Sequence, residues 1–378
     1  MRLHHALKRE WPLVVNVAMA ALFLVFGAEW VADLSNPFRF AAVLASLFAV
    51  ILLSAFAVVR HAEAMAVRLG EPLGTLILTL AVTGIEVMMI TAVMYAGHGN
   101  ASMARDSMFA VIMIVLNGVV GLALLAGGLR HHEQTYNLQG ANAFLAVIVP
   151  LAVLGLVLPT FTVSSPGPTL SRFQGIFLAV MSIGLFGVFL AIQNVRHRDY
   201  FVAPGPPSSP GPPGPSDRPD AAAHVEHDVG PMAFHVPLLF AYLLPLVVLS
   251  KQIAVPINYG IHVLHAPPAL GGFLVAVLIL SPESLAATRA ALANQLQRSV
   301  NILLGSALAT ISLTIPAVLT IGLVTGQTIV LGLDPVDIVL LVLTLAVSML
   351  TFASARTNVL LGAVHLLLFF AYVMLIFD

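Results

Sequence analysis

Two glutamates lie inside stretches of sequence that are otherwise apolar. Glu86 is the one charged residue of LILTLAVTGIEVMM (76–89), and Glu283 lies within LILSPESLAA (278–287). A charged residue at the centre of a bilayer costs roughly 2.5–3.5 kcal/mol on insertion scales, so acids at such positions usually serve a function. Burial favours the protonated form of a carboxyl group, whereas a nearby cation favours the ionised form. Such a carboxylate can hold either a proton or a metal ion, which is the chemistry of cation/proton exchange.

The segments around the two acids resemble each other weakly. Aligning Glu86 on Glu283 places GTLILTLAVTGIEV beside GGFLVAVLILSPES, and a helix-interrupting residue precedes each acid: Gly84 in the first segment and Ser281-Pro282 in the second. We expect both helices to be interrupted there and to free backbone carbonyl groups. Carbonyl and carboxylate oxygens are hard ligands that suit Ca²⁺ or Na⁺, so the two acids are the predicted proton-binding and metal-binding residues.

Neutral oxygen donors accompany the acids in the same helices and in those that follow. Thr79, Thr83 and Glu86 are spaced by four and three residues, so they share one helical face. The residues predicted to line an ion pathway are Thr79, Thr83, Asn117, Ser281, Ser306 and Thr310. Small hydroxyl residues equally often serve only in helix packing and interhelical hydrogen bonds, and that alternative stays open for each of them.

The composition indicates that membrane helices position these residues. The chain has 378 residues, of which 59% are hydrophobic and 9% charged, whereas soluble domains carry about 25% charged residues. Apolar blocks of about 18 residues or more predict membrane helices. Eleven blocks are found, near 12–34, 37–59, 72–96, 107–128, 143–163, 173–194, 233–256, 265–288, 299–325, 334–353 and 358–377. The chain therefore belongs to the all-α integral membrane class.

A Pro- and Gly-rich segment, 195–232, divides these blocks and predicts a flexible cytoplasmic linker. We expect an N-terminal helix (1–36), a first five-helix repeat (37–194) that contains Glu86, and a second repeat (233–378) that contains Glu283. Because five is odd, two such repeats must have opposite orientations in the membrane. Inverted repeats are typical of secondary transporters, whose ion sites lie where the halves meet.

The distribution of Lys and Arg predicts the orientation of the helices. With the N-terminus inside, the inner loops and helix ends receive twelve of these residues and the outer ones receive four. This asymmetry follows the positive-inside rule, so we expect a cytoplasmic N-terminus. Glu29, Asp33, Asp334 and Asp337 lie near helix ends, and we expect them to be ordinary interfacial charges.

Three stretches resemble the ChaA-type branch of the calcium/cation antiporter superfamily. They are GTLILTLAVTGIEVMMI, the segment from ARDSMFAVIMIVLNGVVG to LAVLGLVLP, and SPESLAATRAALANQLQRSVNILLGSALATISLTIP. The resemblance implies an eleven-helix antiporter of the bacterial inner membrane. It would exchange Ca²⁺, or in some members Na⁺ or K⁺, for protons by alternating access. It also implies that Glu86 and Glu283 are the ion-binding acids of the two repeats, and that Asn117 and Ser306 lie in their partner helices.

Two other classes of function remain as alternatives. A cation channel would conduct without a counter-ion, and an intramembrane enzyme would need a nucleophile or metal set. H-E-x-x-H, G-x-S-x-G and G-x-x-x-x-G-K-[ST] are all absent, so we assign no residue a catalytic role and expect a secondary transporter without ATP. We expect inorganic cations, protons and the lipid bilayer as partners, with no cofactor and no nucleic acid. A sensor role for the histidines at 224–228 and the oligomeric state stay open.

Overall fold

The computed structural model describes residues 10–70, 73–95, 101–204 and 231–377. Within these ranges eleven apolar helices follow one another, and we number them α1 to α11. Their bounds are α1 Trp11–Ala32, α2 Pro37–Leu69, α3 Leu73–Tyr95, α4 Met103–His131, α5 Leu138–Phe161, α6 Arg172–Arg196, α7 Met232–His262, α8 Pro268–Leu292, α9 Leu296–Thr325, α10 Pro335–Thr351 and α11 Val359–Leu375. A 3₁₀ turn, Arg198–Phe201, follows α6, and the strands are β1 Gln134–Thr135 and β2 Arg356–Thr357.

The predicted eleven helices are confirmed in number and order. Nine of them have at least 18 residues, and the last two have 17 residues each. Helices α2 and α7 extend beyond their predicted ends because their last turns carry polar residues that an apolar-block search leaves out. The Pro-rich part of the predicted linker, 205–230, lies outside the described residues, and so do the histidines at 224–228. The predicted repeat boundaries stay a prediction.

Local signals in the sequence account for several helix ends. Asn36 accepts hydrogen bonds from the backbone of Phe38 and Arg39 at the start of α2, and Ser171 forms a capping box with Gln174 at the start of α6. Both arrangements satisfy N–H groups that the first helical turn leaves without intrahelical partners. At its other end α9 stops at Gly326, which has a φ of 71°, a conformation that glycine adopts without steric cost.

The two short strands join loops that are far apart in sequence. Gln134 pairs with Thr357 in an antiparallel ribbon, so the α4–α5 and α10–α11 loops lie at the same end of the molecule. This end is called the ribbon end below, and the opposite one the far end. Next to the ribbon, the hydroxyl group of Tyr136 donates to the carbonyl oxygens of Ser354 and Thr351. Burial raises the pKa of Tyr136, which keeps this hydroxyl protonated as a donor.

The helices of the two halves make matching contacts. Helix α4 packs against α8 and α11, and α9 packs against α3 and α6. Exchanging α4 with α9, α8 with α3 and α11 with α6 turns one set of contacts into the other. This is the pattern that two inverted five-helix repeats require. The additional first helix packs on the outside against α2 and α7.

Candidate functional site

Glu86 is buried at the contact between the two halves of the chain. Its side chain lies on α3 and is 1% exposed. The Oγ1 hydroxyl of Thr310, from α9 in the other half, donates to Glu86 Oε2 over 2.8 Å. Oε1 of Glu86 has no hydrogen-bond partner among the described residues. A buried carboxylate oxygen without a partner is unfavourable, so it is a natural place for a proton or a cation.

Glu283 has a matching arrangement on α8. The hydroxyl group of Ser306 donates to Glu283 Oε2. Ser306 precedes Thr310 by four residues, so both hydroxyl groups lie on one face of α9. A single helix thus provides one hydroxyl donor to each acid. Glu86 and Glu283 also lie close enough to interact electrostatically.

A small cavity lies beside Glu283, and Glu86 is not among its lining residues. The cavity has a volume of about 210 Å³, and we call it the acid cavity. Glu283 lines it together with the predicted pathway residues Thr79, Thr83, Ser306 and Thr310. Toward the ribbon end Glu63, Gln193 and Asn301 line it, and Glu63 is exposed. The acid cavity therefore approaches the surface at the ribbon end.

The charges of the two acids are not balanced by basic side chains. No ion pair among the described residues involves Glu86 or Glu283. An unpaired charge in a low-dielectric interior is costly, and a buried carboxyl group that lacks a partner tends to neutralise itself. Binding of a proton or a cation would remove this cost, and one excludes the other at the same oxygen.

Few charged side chains around Glu86 and Glu283 could serve as ligands to a cation. Within the described ranges no three His, Cys, Asp or Glu side chains lie close enough to form a metal cluster. Two carboxylates with two hydroxyl groups offer at most six oxygens, so water or backbone oxygens would complete the shell of a hard cation that takes up to eight. This incomplete ligand set fits an ion that passes through better than one that stays.

The predicted interruptions of the two acid-bearing helices are wrong. Helices α3 and α8 run without a break through Gly84 and Pro282. Pro282 lacks an N–H group, so it removes one intrahelical hydrogen bond without ending the helix, which is tolerated where neighbouring helices pack closely.

Irregular π turns occur instead in four other helices, α4, α5, α6 and α9. Helix α4 contains the π segment Ile114–Val119, and α9 contains the π segment Thr310–Thr314. The second of these begins at the residue that binds Glu86. Single π turns inside α-helices occur frequently at functional sites.

Two of the predicted pathway residues lie elsewhere. Ser281 donates its hydroxyl hydrogen to the carbonyl oxygen of Val277 within its own helix, and it does not line the acid cavity. Asn117 is fully buried, and its Nδ2 atom donates to Thr344 Oγ1 of α10 over 2.8 Å. Its Oδ1 atom lies 3.2 Å from Nδ1 of His365 on α11. Asn117 therefore belongs to a polar network on the other side of α4.

His365 is a buried polar residue that the sequence analysis missed. It is fully buried, and its Nε2 atom lies 2.9 Å from Thr351 Oγ1. Because Asn117 Oδ1 can only accept, Nδ1 of His365 carries the hydrogen and Nε2 accepts from Thr351. The signal was present, since a histidine within VLLGAVHLLLFF is an ionisable group in a membrane helix.

Comparison with known proteins identifies the family. The model of the sodium/calcium exchanger protein family matches residues 39–195 and 235–377, which together are most of the chain. The chain belongs to this family. The resemblance found in the sequence is thereby confirmed.

Relatives and solved structures agree with this family. The chain is 42% identical over 316 residues to the putative ionic transporter y4hA of Sinorhizobium fredii, covering 83% of each chain. It is 39% identical to the sodium-potassium/proton antiporter ChaA of Escherichia coli K12, covering 98% of this chain and 96% of ChaA.

Among solved structures, native YfkE matches with a TM-score of 0.72 at 16% identity, over 97% of this chain and 99% of YfkE. The H⁺/Ca²⁺ exchanger CAX matches with a TM-score of 0.64 at 13% identity, over 97% of this chain and 88% of CAX. At these identities the two structures show a shared fold.

Proposed function

We propose that this protein is a secondary transporter that exchanges cations for protons, with Glu86 and Glu283 as the groups that bind either. The observation that carries the proposal is the arrangement of two carboxylates inside membrane helices, Glu86 fully buried and Glu283 partly buried, that lack basic partners among the described residues. Each of them receives a hydrogen bond from the same helix, α9. Since each acid lies in the equivalent helix of its half, one site at the contact between the halves can be reached from both ends in turn.

Ca²⁺ is the first candidate for the transported cation. Two carboxylates neutralise one divalent ion, and their four oxygens with the hydroxyl groups of Ser306 and Thr310 approach the six to eight oxygen ligands that Ca²⁺ takes. Two more distant relatives, at 22% and 25% identity, are named Ca²⁺/H⁺ antiporters. Na⁺ or K⁺ is the second candidate because the relative that covers 98% of the chain is named a sodium-potassium/proton antiporter. A monovalent ion would leave a proton on one of the two acids.

The ribbon end is assigned to the cytoplasm of a bacterial inner membrane. Of the Lys and Arg residues that the structure describes, eight lie toward this end and four toward the far end, as the positive-inside rule requires of cytoplasmic loops. The acid cavity approaches the same end, so we infer an inward-facing state. Protons arriving from outside would neutralise both acids and displace the cation outward. The protonated site would then face inward, release its protons and bind a new cation.

Transport is assigned rather than catalysis, and no cofactor is assigned. The family relatives named above are transporters, and proton/cation competition at the acids needs no bound group besides the transported ions. A channel would be distinguished by conduction without a counter-ion.

The proposal is tested in everted membrane vesicles that are energised to an acidic interior. Adding Ca²⁺, Na⁺ or K⁺ to wild-type vesicles is expected to collapse the pH gradient for at least one ion. Glu86→Gln, which keeps the shape of the side chain but cannot ionise, is expected to reduce this response to that of vesicles without the protein.

Glu29→Gln is the matched control because Glu29 is an exposed acid at the far end, and it should behave as wild type. Full exchange by a correctly inserted Glu86→Gln variant would refute the assignment of this acid. Cation flux without proton movement in the wild type would favour the channel.

A further inference from the structure

A second and larger cavity lies at the end of the molecule opposite the ribbon. Its volume is about 840 Å³, and residues of α4, α7, α8, α10 and α11 line it together with the α7–α8 and α9–α10 loops. We call it the far-end cavity. The helices that line the acid cavity are α2, α3, α5, α6, α8 and α9. Their equivalents in the other half of the chain are, in the same order, α7, α8, α10, α11, α3 and α4. The far-end cavity uses five of these six, so it lies among equivalent helices but nearer their ends.

The charged groups in the far-end cavity leave an excess of negative charge. Arg105 pairs with Asp106 at 2.8 Å and with Asp334 at 3.4 Å. Asp337, on the first turn of α10, forms no ion pair or hydrogen bond among the described residues although it lines the cavity. Three carboxylates thus face one guanidinium group, and one carboxylate remains without a partner. His262 and His265 also line the cavity.

A buried hydroxyl group points independently to a ligand in the same place. Tyr372 of α11 lines the far-end cavity and is 2% exposed. Its hydroxyl group has no hydrogen-bond partner among the described residues. This group lies within electrostatic range of both Asp337 and Asp106. A buried hydroxyl without a partner is disfavoured, and this one lines the same cavity as the carboxylate of Asp337, which also lacks a hydrogen-bond partner among the described residues.

We propose that the far-end cavity binds a hydrated inorganic cation between the carboxylate of Asp337 and the hydroxyl group of Tyr372. Oxygen ligands of this kind suit Na⁺ and Ca²⁺, and water would supply the remaining ligands. Asp106 and Asp334 add negative charge but are already engaged by Arg105. Asp337 is therefore a ligand at this site, although its position near a helix end suggested an ordinary interfacial charge.

The far-end site is separate from the acid cavity. Ala269 of α8 lines the far-end cavity, and it precedes Glu283 by fourteen residues, or about 21 Å along a helix at 1.5 Å per residue. One ion cannot contact both sites at this distance. If the proposed antiport is correct, the far-end site is where the cation stays after leaving Glu86 and Glu283 and before reaching the outer solution. This role rests on the proposed function, whereas the binding itself does not.

The test measures cation binding to the full-length protein in detergent by equilibrium dialysis with ⁴⁵Ca²⁺ and, separately, with ²²Na⁺. The background is the Glu86→Gln/Glu283→Gln double variant, which removes the acid-cavity site and with it transport. This variant is expected to retain binding of one of the two ions. Adding Asp337→Asn is expected to weaken that binding by roughly tenfold or more, since even ligand-supporting groups contribute 10–100-fold to metal affinity. Adding Tyr372→Phe should weaken it by a smaller factor.

Asp33→Asn in the same background is the matched control because Asp33 is an exposed acid at the same end, and its binding should equal that of the double variant. A double variant that is folded, as judged by an unchanged melting temperature, but binds neither ion would overturn the proposal. Equal binding with and without Asp337→Asn would overturn it as well. Absence of exchange in wild-type vesicles together with retained Asp337-dependent binding would refute the antiport and leave the far-end site intact.

Discussion

Helices α4 and α9 occupy equivalent places in the two halves, yet their polar side chains have different partners. Each contains a π segment near its middle. From α9, Ser306 and Thr310 donate hydrogen bonds to the two acids. From α4, Asn117 instead bonds to Thr344 and His365 of the last two helices.

The difference shows that a symmetric backbone can carry an asymmetric site. The hydrogen bonds of both acids come from α9, so the exchange chemistry proposed above would depend mainly on one of the two partner helices. The Asn117 network satisfies its buried polar groups completely, and such networks fix one packing arrangement of the surrounding helices. We infer that α4 mainly holds α10 and α11 in place, whereas α9 acts on the ions.

Asn117→Ala is expected to give the largest effect of the variants that test this comparison. It would leave His365 and Thr344 with unpaired buried polar groups, and each such group lowers the free energy of unfolding by about 1–3 kcal/mol. We expect a clear drop in the melting temperature in detergent, while exchange per folded molecule stays close to wild type. Thr344→Val leaves the Asn117–His365 contact intact and should cost less. If Asn117→Ala kept its stability and lost exchange, α4 would be part of the ion pathway after all.

Thr310→Val is expected to give the opposite result. Valine matches threonine in shape but removes the hydrogen bond to Glu86, and bonds to charged groups contribute about 1.5–3 kcal/mol. We therefore expect exchange to weaken by roughly tenfold or more, with a smaller drop in melting temperature than in Asn117→Ala because one hydrogen bond is lost instead of two, and Thr310→Ser should restore exchange. Initial rates in vesicles across a range of cation concentrations measure the effect. Wild-type rates in Thr310→Val would mean that α9 serves packing alone.

The sequence predicted those parts of the site that depend on helical periodicity. Thr79 and Thr83 line the acid cavity near Glu86, and Ser306 and Thr310 bind the acids, because residues three or four apart share a helix face. Asn117 could not be placed in this way. Tertiary packing decides which neighbouring helix each face of α4 contacts. In addition, a π turn adds one residue to the helix, which rotates the side chains that follow by about 100°.

The sequence analysis was wrong about the helix interruptions and did not find the far-end site, for other physical reasons. Pro282 was read as a break, but close packing against neighbouring helices allows a membrane helix to continue through proline. Asp337 and Tyr372 are 35 residues apart in the chain, so nothing in their spacing indicated that they line one cavity. His365 could have been found from the sequence, because it is an ionisable residue within an apolar helix.

Gly84→Ala is expected to have the smallest effect and tests whether the acid-bearing helices remain continuous during transport. A Cβ atom at Gly84 would have no neighbour within 4 Å, and replacing glycine by alanine inside a helix stabilises it by about 0.5–1 kcal/mol. We expect exchange at the wild-type rate with a slightly higher melting temperature.

Gly272→Ala is the contrasting variant on α8. Its Cβ atom would lie 2.6 Å from the backbone of Asp106 on α4, so the contact between these helices would have to shift and stability would fall. Loss of exchange in a stable Gly84→Ala variant would show that α3 must bend beside Glu86 when the site changes sides. In that case the continuous helix would belong to the inward-facing state alone, and the flexibility predicted for Gly84 would operate elsewhere in the cycle.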